Sequence, residues 1–175
     1  MKISMYTMSV EAFVSTLRAL TKVIEKAAEH AAAKKFDPAV LVNARLAPDM
    51  FPLVKQVQIA CDFAKNSTGR LTGEEPPRFE DNEQTLEQLK ARIARTIDYL
   101  RGARAAAFEG AEEREISIPI PTGGSFKMNG LELLRDWSLP NFYFHAVTAY
   151  DILRHNGVDL GKRDFLAEMH RYMSH

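Results

Sequence analysis

The chain is 175 residues long, 46 % hydrophobic and 26 % charged, with 23 Lys plus Arg against 23 Asp plus Glu. That length and balance fit one globular domain over residues 1–175, and they exclude a disordered chain, a collagen-like repeat and a disulfide-stapled miniprotein. The zero net charge argues against nucleic acid as a partner, because phosphate recognition brings a basic excess, and it favours self-association near neutral pH.

No stretch approaches the roughly 20 continuous apolar residues of a membrane-spanning helix. Met1-Lys2-Ile3-Ser4 lacks the apolar core of a secretory signal. The single cysteine, Cys61, allows no internal disulfide, which points to a reducing, cytoplasmic compartment.

The first helix is expected to start near Ser9, an N-cap residue followed by Glu11. Phe13, Leu17, Leu20, Ile24, Ala27 and Ala31 then form one apolar stripe. Lys34 and Lys35 suit its C-terminal end, and Asp37-Pro38 reads as the cap of a short helical turn. The second helix is expected from Pro48 or Asp49, with Pro52 tolerated in the first turn. Met50, Leu53, Val54, Val57, Ala60, Cys61 and Ala64 form its stripe, and it should fade near Gly69 or Gly73. Glu74-Glu75-Pro76-Pro77 marks a solvated connector up to Asp81.

The third helix carries Leu86, Leu89, Ile93, Ile97 and Leu100 on one buried side, with Glu87, Lys90, Arg92, Arg95 and Arg101 on its other faces. It is expected to run on through Ala105–Ala107 and to stop before Gly110. The period then changes. Ile116, Ile118 and Ile120 alternate with Ser117, Pro119 and Pro121. Thr122-Gly123-Gly124 is a turn, and Phe126 and Met128 alternate again. These mark a β-hairpin whose prolines confine that strand to an edge.

The fourth helix should start near Asn129 and end at Gly157, with a break or kink near Ser138 caused by Pro140. Phe142, Ala146, Ala149, Ile152 and Leu153 form its core stripe. Phe165, Leu166, Met169 and Tyr172 predict a short docking helix in the tail. Four such helices make an all-α four-helix bundle, with a short β-hairpin between helices three and four.

Ser138, Asn141, His145, Thr148 and Ile152 share one edge of the fourth helix. A buried polar group costs about 1 to 3 kcal/mol without a partner, so this thread needs partners from a neighbouring helix or from a ligand. Asp49 and Gln56 flank the stripe of the second helix where they can face inward. Asp49, Asn141 and His145 are therefore the candidate ligand-binding residues. A hydrogen-bonded core histidine and an N-cap aspartate satisfy the same pattern without function.

Cys61, on the apolar stripe, reads as a core residue rather than a nucleophile. His30 and His155 sit near helix ends, and His170 and His175 sit in the tail. Trp137, Phe142, Tyr143 and Phe144 cluster near the kink and fit packing or a subunit interface. No P-loop, zinc-finger spacing, H-E-x-x-H or G-x-S-x-G is present.

Leu139-Pro140-Asn141-Phe142-Tyr143-Phe144-His145 and Leu153-Arg154-His155-Asn156-Gly157-Val158 resemble the last helix of DinB/YfiT-like four-helix bundles. The nearest likeness is to a branch known as a domain of unknown function. Leu46-Ala47-Pro48-Asp49-Met50-Phe51-Pro52 and Gly161-Lys162-Arg163-Asp164-Phe165-Leu166 resemble that branch too, so the likeness covers nearly the whole chain.

The resemblance implies a divalent metal held by three histidines, one from the second helix and two from an H-x-x-x-H pair in the fourth. It also implies thiol-dependent transfer or isomerisation in some members, and frequent dimers. Residue by residue, the pair falls on Asn141 and His145, and the helix-two position falls at about Asp49. His145, Asp49 and Asn141 are thus the candidate ligands for zinc, nickel or manganese, with one histidine of three retained and an asparagine amide a poor ligand.

Three readings stay open. One is a small-molecule or weak metal-binding bundle, expected to be a homodimer. Another is a divalent-metal-dependent hydrolase or thiol transferase. The last is a relic whose pocket residues satisfy one another.

Overall fold

A computed structural model of the chain describes residues 3–173. Helical backbone begins at Met5 and passes through a π-type turn, Thr7–Glu11, into α1 (Ala12–Lys34). The expected start at Ser9 is too late. Ser4 Oγ accepts the Thr7 N–H at 3.2 Å and Thr7 Oγ1 accepts the Ser4 N–H at 3.1 Å, so this pair caps the helix. Ser9 is buried inside it, its hydroxyl donating to the Met5 carbonyl at 2.5 Å. After α1 the Asp37 carboxylate accepts the Ala39 N–H at 2.9 Å and starts the short α2 (Ala39–Val42), as its Asp-Pro pair implies.

The next long helix, α3, spans Leu53–Thr72. It does not begin at Pro48 or Asp49. The residue before a proline is pushed out of helical conformation, Phe51 lies outside the helix, and Pro52 itself is extended at ψ 167°. Asp49 consequently lies in an exposed turn and caps nothing. Gly73, at φ 77°, ends α3.

α4 (Leu86–Gly102) opens on a reciprocal capping box between Thr85 and Gln88. It stops earlier than its alanine-rich sequel predicts. Ala103 is extended, and Ala105–Phe108 forms a separate 3₁₀ turn.

The hairpin pairs β1 (Glu115–Pro119) with β2 (Ser125–Asn129) in antiparallel register, Ile116 opposite Met128 and Ile118 opposite Phe126. Ile116 and Ile118 face the core. Asn129 then caps α5 (Gly130–Glu132) in a box with Glu132, as expected. Gly130 is required there, because a Cβ would sit 1.8 Å from the Ala111 carbonyl oxygen.

A π-type segment, Leu133–Ser138, leads directly into α6 (Leu139–His155). The helix is therefore not broken at Pro140. The missing proline N–H falls where a change of hydrogen-bond register absorbs it. The tail docks on α1 as α7 (Lys162–Phe165) and a 3₁₀ turn, Ala167–Tyr172. Among the described residues, no helix is long and apolar enough to cross a membrane.

α3 packs against α4 and α6, and α1 packs against the same two, so the four long helices close into a ring around one apolar core. A wholly buried cation belongs to that interior. Arg92 on α4, expected on a solvated face, is wholly buried. Its guanidinium meets Asp62 of α3 at 3.1 Å, Asp81 at 2.9 Å and Glu83 at 3.2 Å, and donates to the Glu80 carbonyl at 3.0 Å. Gln58 donates to Glu83 at 2.8 Å and Lys65 to the Pro77 carbonyl at 2.8 Å.

The Phe79 ring lies under Lys65 and Arg95, at 5.3 and 4.7 Å. Burial opposes ionisation of Asp81, but Lys55 and Arg92 outweigh it and hold the carboxyl below its ordinary value. The connector between α3 and α4 is thus bolted onto both helices rather than solvated throughout. Replacing Arg92 with Met removes the buried cation shared by Asp62, Asp81 and Glu83 and leaves the buried Glu83 carboxylate only Gln58 and the exposed Arg95, so we expect a loss of about 3 to 5 kcal/mol. Arg92→Met combined with Glu83→Gln should be more stable than the single variant, with urea denaturation as the check.

Candidate functional site

The face of α3 turned to α6 carries Gln56 and, two turns on, Phe63. The Leu133–Ser138 segment and α6 carry Trp137, Asn141 and His145 at successive four-residue steps along one edge. These elements meet at His145. Its Nδ1 lies 2.7 Å from Gln56 Oε1. Its ring stacks on Phe63 at 6.0 Å and 16°, and meets Phe144 edge-on at 5.2 Å. Phe63 continues to Trp137 at 6.2 Å, and Trp137 to Phe126 of β2 at 5.4 Å. The result is one aromatic band with a single imidazole in it.

The hydrogen bonds fix the tautomer. Gln56 is 1 % exposed, and its amide nitrogen donates to the Phe51 carbonyl at 3.1 Å. Its oxygen is therefore the end presented to His145, so Nδ1 carries the proton and donates. Nε2 is left as a lone-pair acceptor. No protein group bonds it among the described residues, and it is not a buried atom, since the sole buried unpartnered side-chain nitrogen or oxygen there is Arg92 Nε. Burial pushes the imidazole below its ordinary value, which keeps the ring neutral near pH 7. The site offers a neutral, solvent-reachable acceptor or base between aromatic walls.

The rest of the polar thread is satisfied locally. Asn141 donates to the Trp137 carbonyl at 2.7 Å, and the Thr148 hydroxyl to the Phe144 carbonyl at 2.7 Å, both within their own helix. Ser138 reaches across to Ser67 of α3 at 2.7 Å. Asp49, on its exposed turn, makes no side-chain hydrogen bond or ion pair among the described residues. Of the three candidate residues, only His145 is thereby joined to α3, and its partner there is Gln56. Phe63 lies beside the apolar stripe of α3 and is half-buried, so periodicity does not mark it, and its place is set by His145 and Trp137 from the facing helix.

As placed, these side chains do not fit the three-ligand metal set. His145 Nε2 is a single nitrogen donor, Asn141 brings a weakly ligating amide already tied to Trp137, and no group of three His, Cys, Asp or Glu suited to a metal occurs among the described residues. Cys61 is fully buried, and burial pushes its thiol up to about 12, so it is no nucleophile. His30 packs against Phe36, His155 and His170 are exposed, and His175 lies outside the described residues. A large apolar groove of about 910 Å³ runs between the N-terminal segment and the Ala105–Phe108 turn, and shares no lining residue with the His145 band.

The ring of helices, the hairpin and the α3–α6 seam define a DinB-like bundle. The crystal structure of a DinB family member from Shewanella denitrificans superposes with a TM-score of 0.86 at 44 % identity, covering 92 % of this chain and 90 % of that one. The chain belongs to the family described as a domain of unknown function, DUF1993, whose model matches residues 5–166. No curated protein matches it.

Since the folded imidazole titrates below its unfolded value of about 6.5, the unfolded chain binds more protons just below that pH. The contribution of His145 to stability is therefore full above about pH 6.5 and is lost as the pH falls below it. His145→Asn keeps an N–H for Gln56 but cannot titrate. We expect urea midpoints of this variant to be flatter than wild type between about pH 6.5 and 5.

Proposed function

We propose that this DUF1993 protein is a small-molecule-binding bundle whose ligand sits on the His145 face. The ligand class is an apolar, ring-containing molecule that carries one hydrogen-bond donor, a hydroxyl or N–H. The observation that carries this is the unpartnered Nε2 of a neutral imidazole set between Phe63 and Phe144. Such a nitrogen accepts a donor from the ligand, and the aromatic walls take its apolar body.

The metal-dependent hydrolase or thiol transferase has less support. It needs two further ligands beside His145, and no group of three His, Cys, Asp or Glu suited to a metal occurs among the described residues.

The chain has a single tryptophan, Trp137, and it lies in the band. Fluorine NMR of 5-fluorotryptophan-labelled protein therefore reads the site directly. Phenol, which has the donor, should shift the signal saturably and bind about fivefold more tightly than anisole, which lacks it. His145→Phe should erase that preference. No saturable shift, or equal affinities in the wild type, would contradict the proposal.

A further inference from the structure

A second site lies away from the His145 band, where the start of α1, the end of α4 and the C-terminal turn meet. A cleft of about 420 Å³ opens there, within the usual range for small ligands. Three guanidinium groups line it, from Arg18, Arg101 and Arg171, against one carboxylate, Glu11. In a chain of zero net charge this is a local concentration of one sign. Arg18 and Arg101 also border the neighbouring groove between α1 and α4, where with Lys22 and Lys90 they stand among four carboxylates, so Arg171 is the cation that belongs to the cleft and not to that groove.

The arginines are only partly committed. Arg18 gives one nitrogen to Glu168 at 3.3 Å, and Lys22 takes the other oxygen of that carboxylate at 3.2 Å. Burial raises Glu168, but Lys22 and Arg18 outweigh it and keep it ionised below its ordinary value. This pairing, with Lys26 to Asp164 at 2.8 Å, straps the tail along α1 and sets Arg171 over the cleft.

Arg101 and Arg171 have no carboxylate within ion-pair distance among the described residues, and Arg171 packs on the Tyr172 ring at 4.8 Å. Glu11 does not pair with any of the three. Val10 and Val14, both buried, form an apolar floor, and the Tyr6 ring stands beside them.

We propose that this cleft binds a phosphate monoester with an apolar body, the phosphate held by Arg18, Arg101 and Arg171. Guanidinium groups suit this ligand because their forked donors match phosphate oxygens two at a time. The α4 end contributes carbonyls, not N–H groups, so the side chains alone supply the attraction. Val10, Val14 and Tyr6 take the organic part.

The test is calorimetric titration of the full chain with phenyl phosphate and with inorganic phosphate, at about pH 7.5, where the monoester is a dianion without a donor for His145. Phenyl phosphate should bind saturably and more tightly than inorganic phosphate. Arg101→Gln and Arg171→Gln should each weaken it about tenfold, as loss of a charged contact does. Arg154→Gln, on the exposed end of α6, should leave it unchanged, and so should His145→Phe. All three arginine variants alter exposed side chains, and thermal melts confirm that each is folded. Absence of saturable binding, equal affinity for the two phosphates, or equal weakening by Arg154→Gln would overturn the proposal.

Discussion

One buried guanidinium sets the geometry on which the rest of the bundle depends. Arg92 binds Asp62 from α3 and Asp81 and Glu83 from the connector, so a single α4 side chain fixes three segments. Gln58, Asp62 and Lys65 lie at helical spacing on the same side of α3. Pinning that side sets the rotation of α3 about its axis, which turns Gln56, Phe63 and Ser67 to α6. An isolated buried charge is costly, and this arrangement is tolerated because nearly every polar atom of the cluster has a partner. Arg92 Nε is the exception among the described residues.

The His145 face follows from that rotation. Gln56 is held at both ends of its amide, by Phe51 and by His145, and this decides which ring nitrogen carries the proton. The half-buried ring stacks on Phe63, and its burial lowers the affinity of the imidazole for a proton. A neutral histidine with its outer nitrogen unpartnered is chemically different from the hydrogen-bonded core histidine that the same sequence position also allows. Both have one satisfied nitrogen. They differ in whether the second one meets protein or solvent.

Much of the fold was legible because it rests on local chemistry. The apolar stripes, the Asn129 cap, the Gly157 terminus and the Pro-rich hairpin are each decided within a few residues. Errors arose where a neighbour in sequence or a distant partner overrides periodicity. The stripe of α3 extends back to Met50, but the constraint on the residue before Pro52 cuts the helix at Leu53 and leaves Asp49 in a turn. Arg92 sits among charged residues at surface spacing, and nothing local reveals that three carboxylates from elsewhere surround it. Within the candidate site, His145 and Gln56 were each visible as polar residues beside an apolar stripe. Their pairing depends on how α3 is rotated, which is a tertiary property.

The protonation state of His145 is the quantity on which the functional account turns. Long-range proton–nitrogen correlation NMR of the histidine rings at neutral pH measures it directly, with His145→Asn identifying the resonance. The expected result is a neutral ring with the proton on Nδ1 and an unprotonated Nε2. A ring protonated on Nε2, or an imidazolium at neutral pH, would contradict it, because neither leaves an acceptor for the ligand.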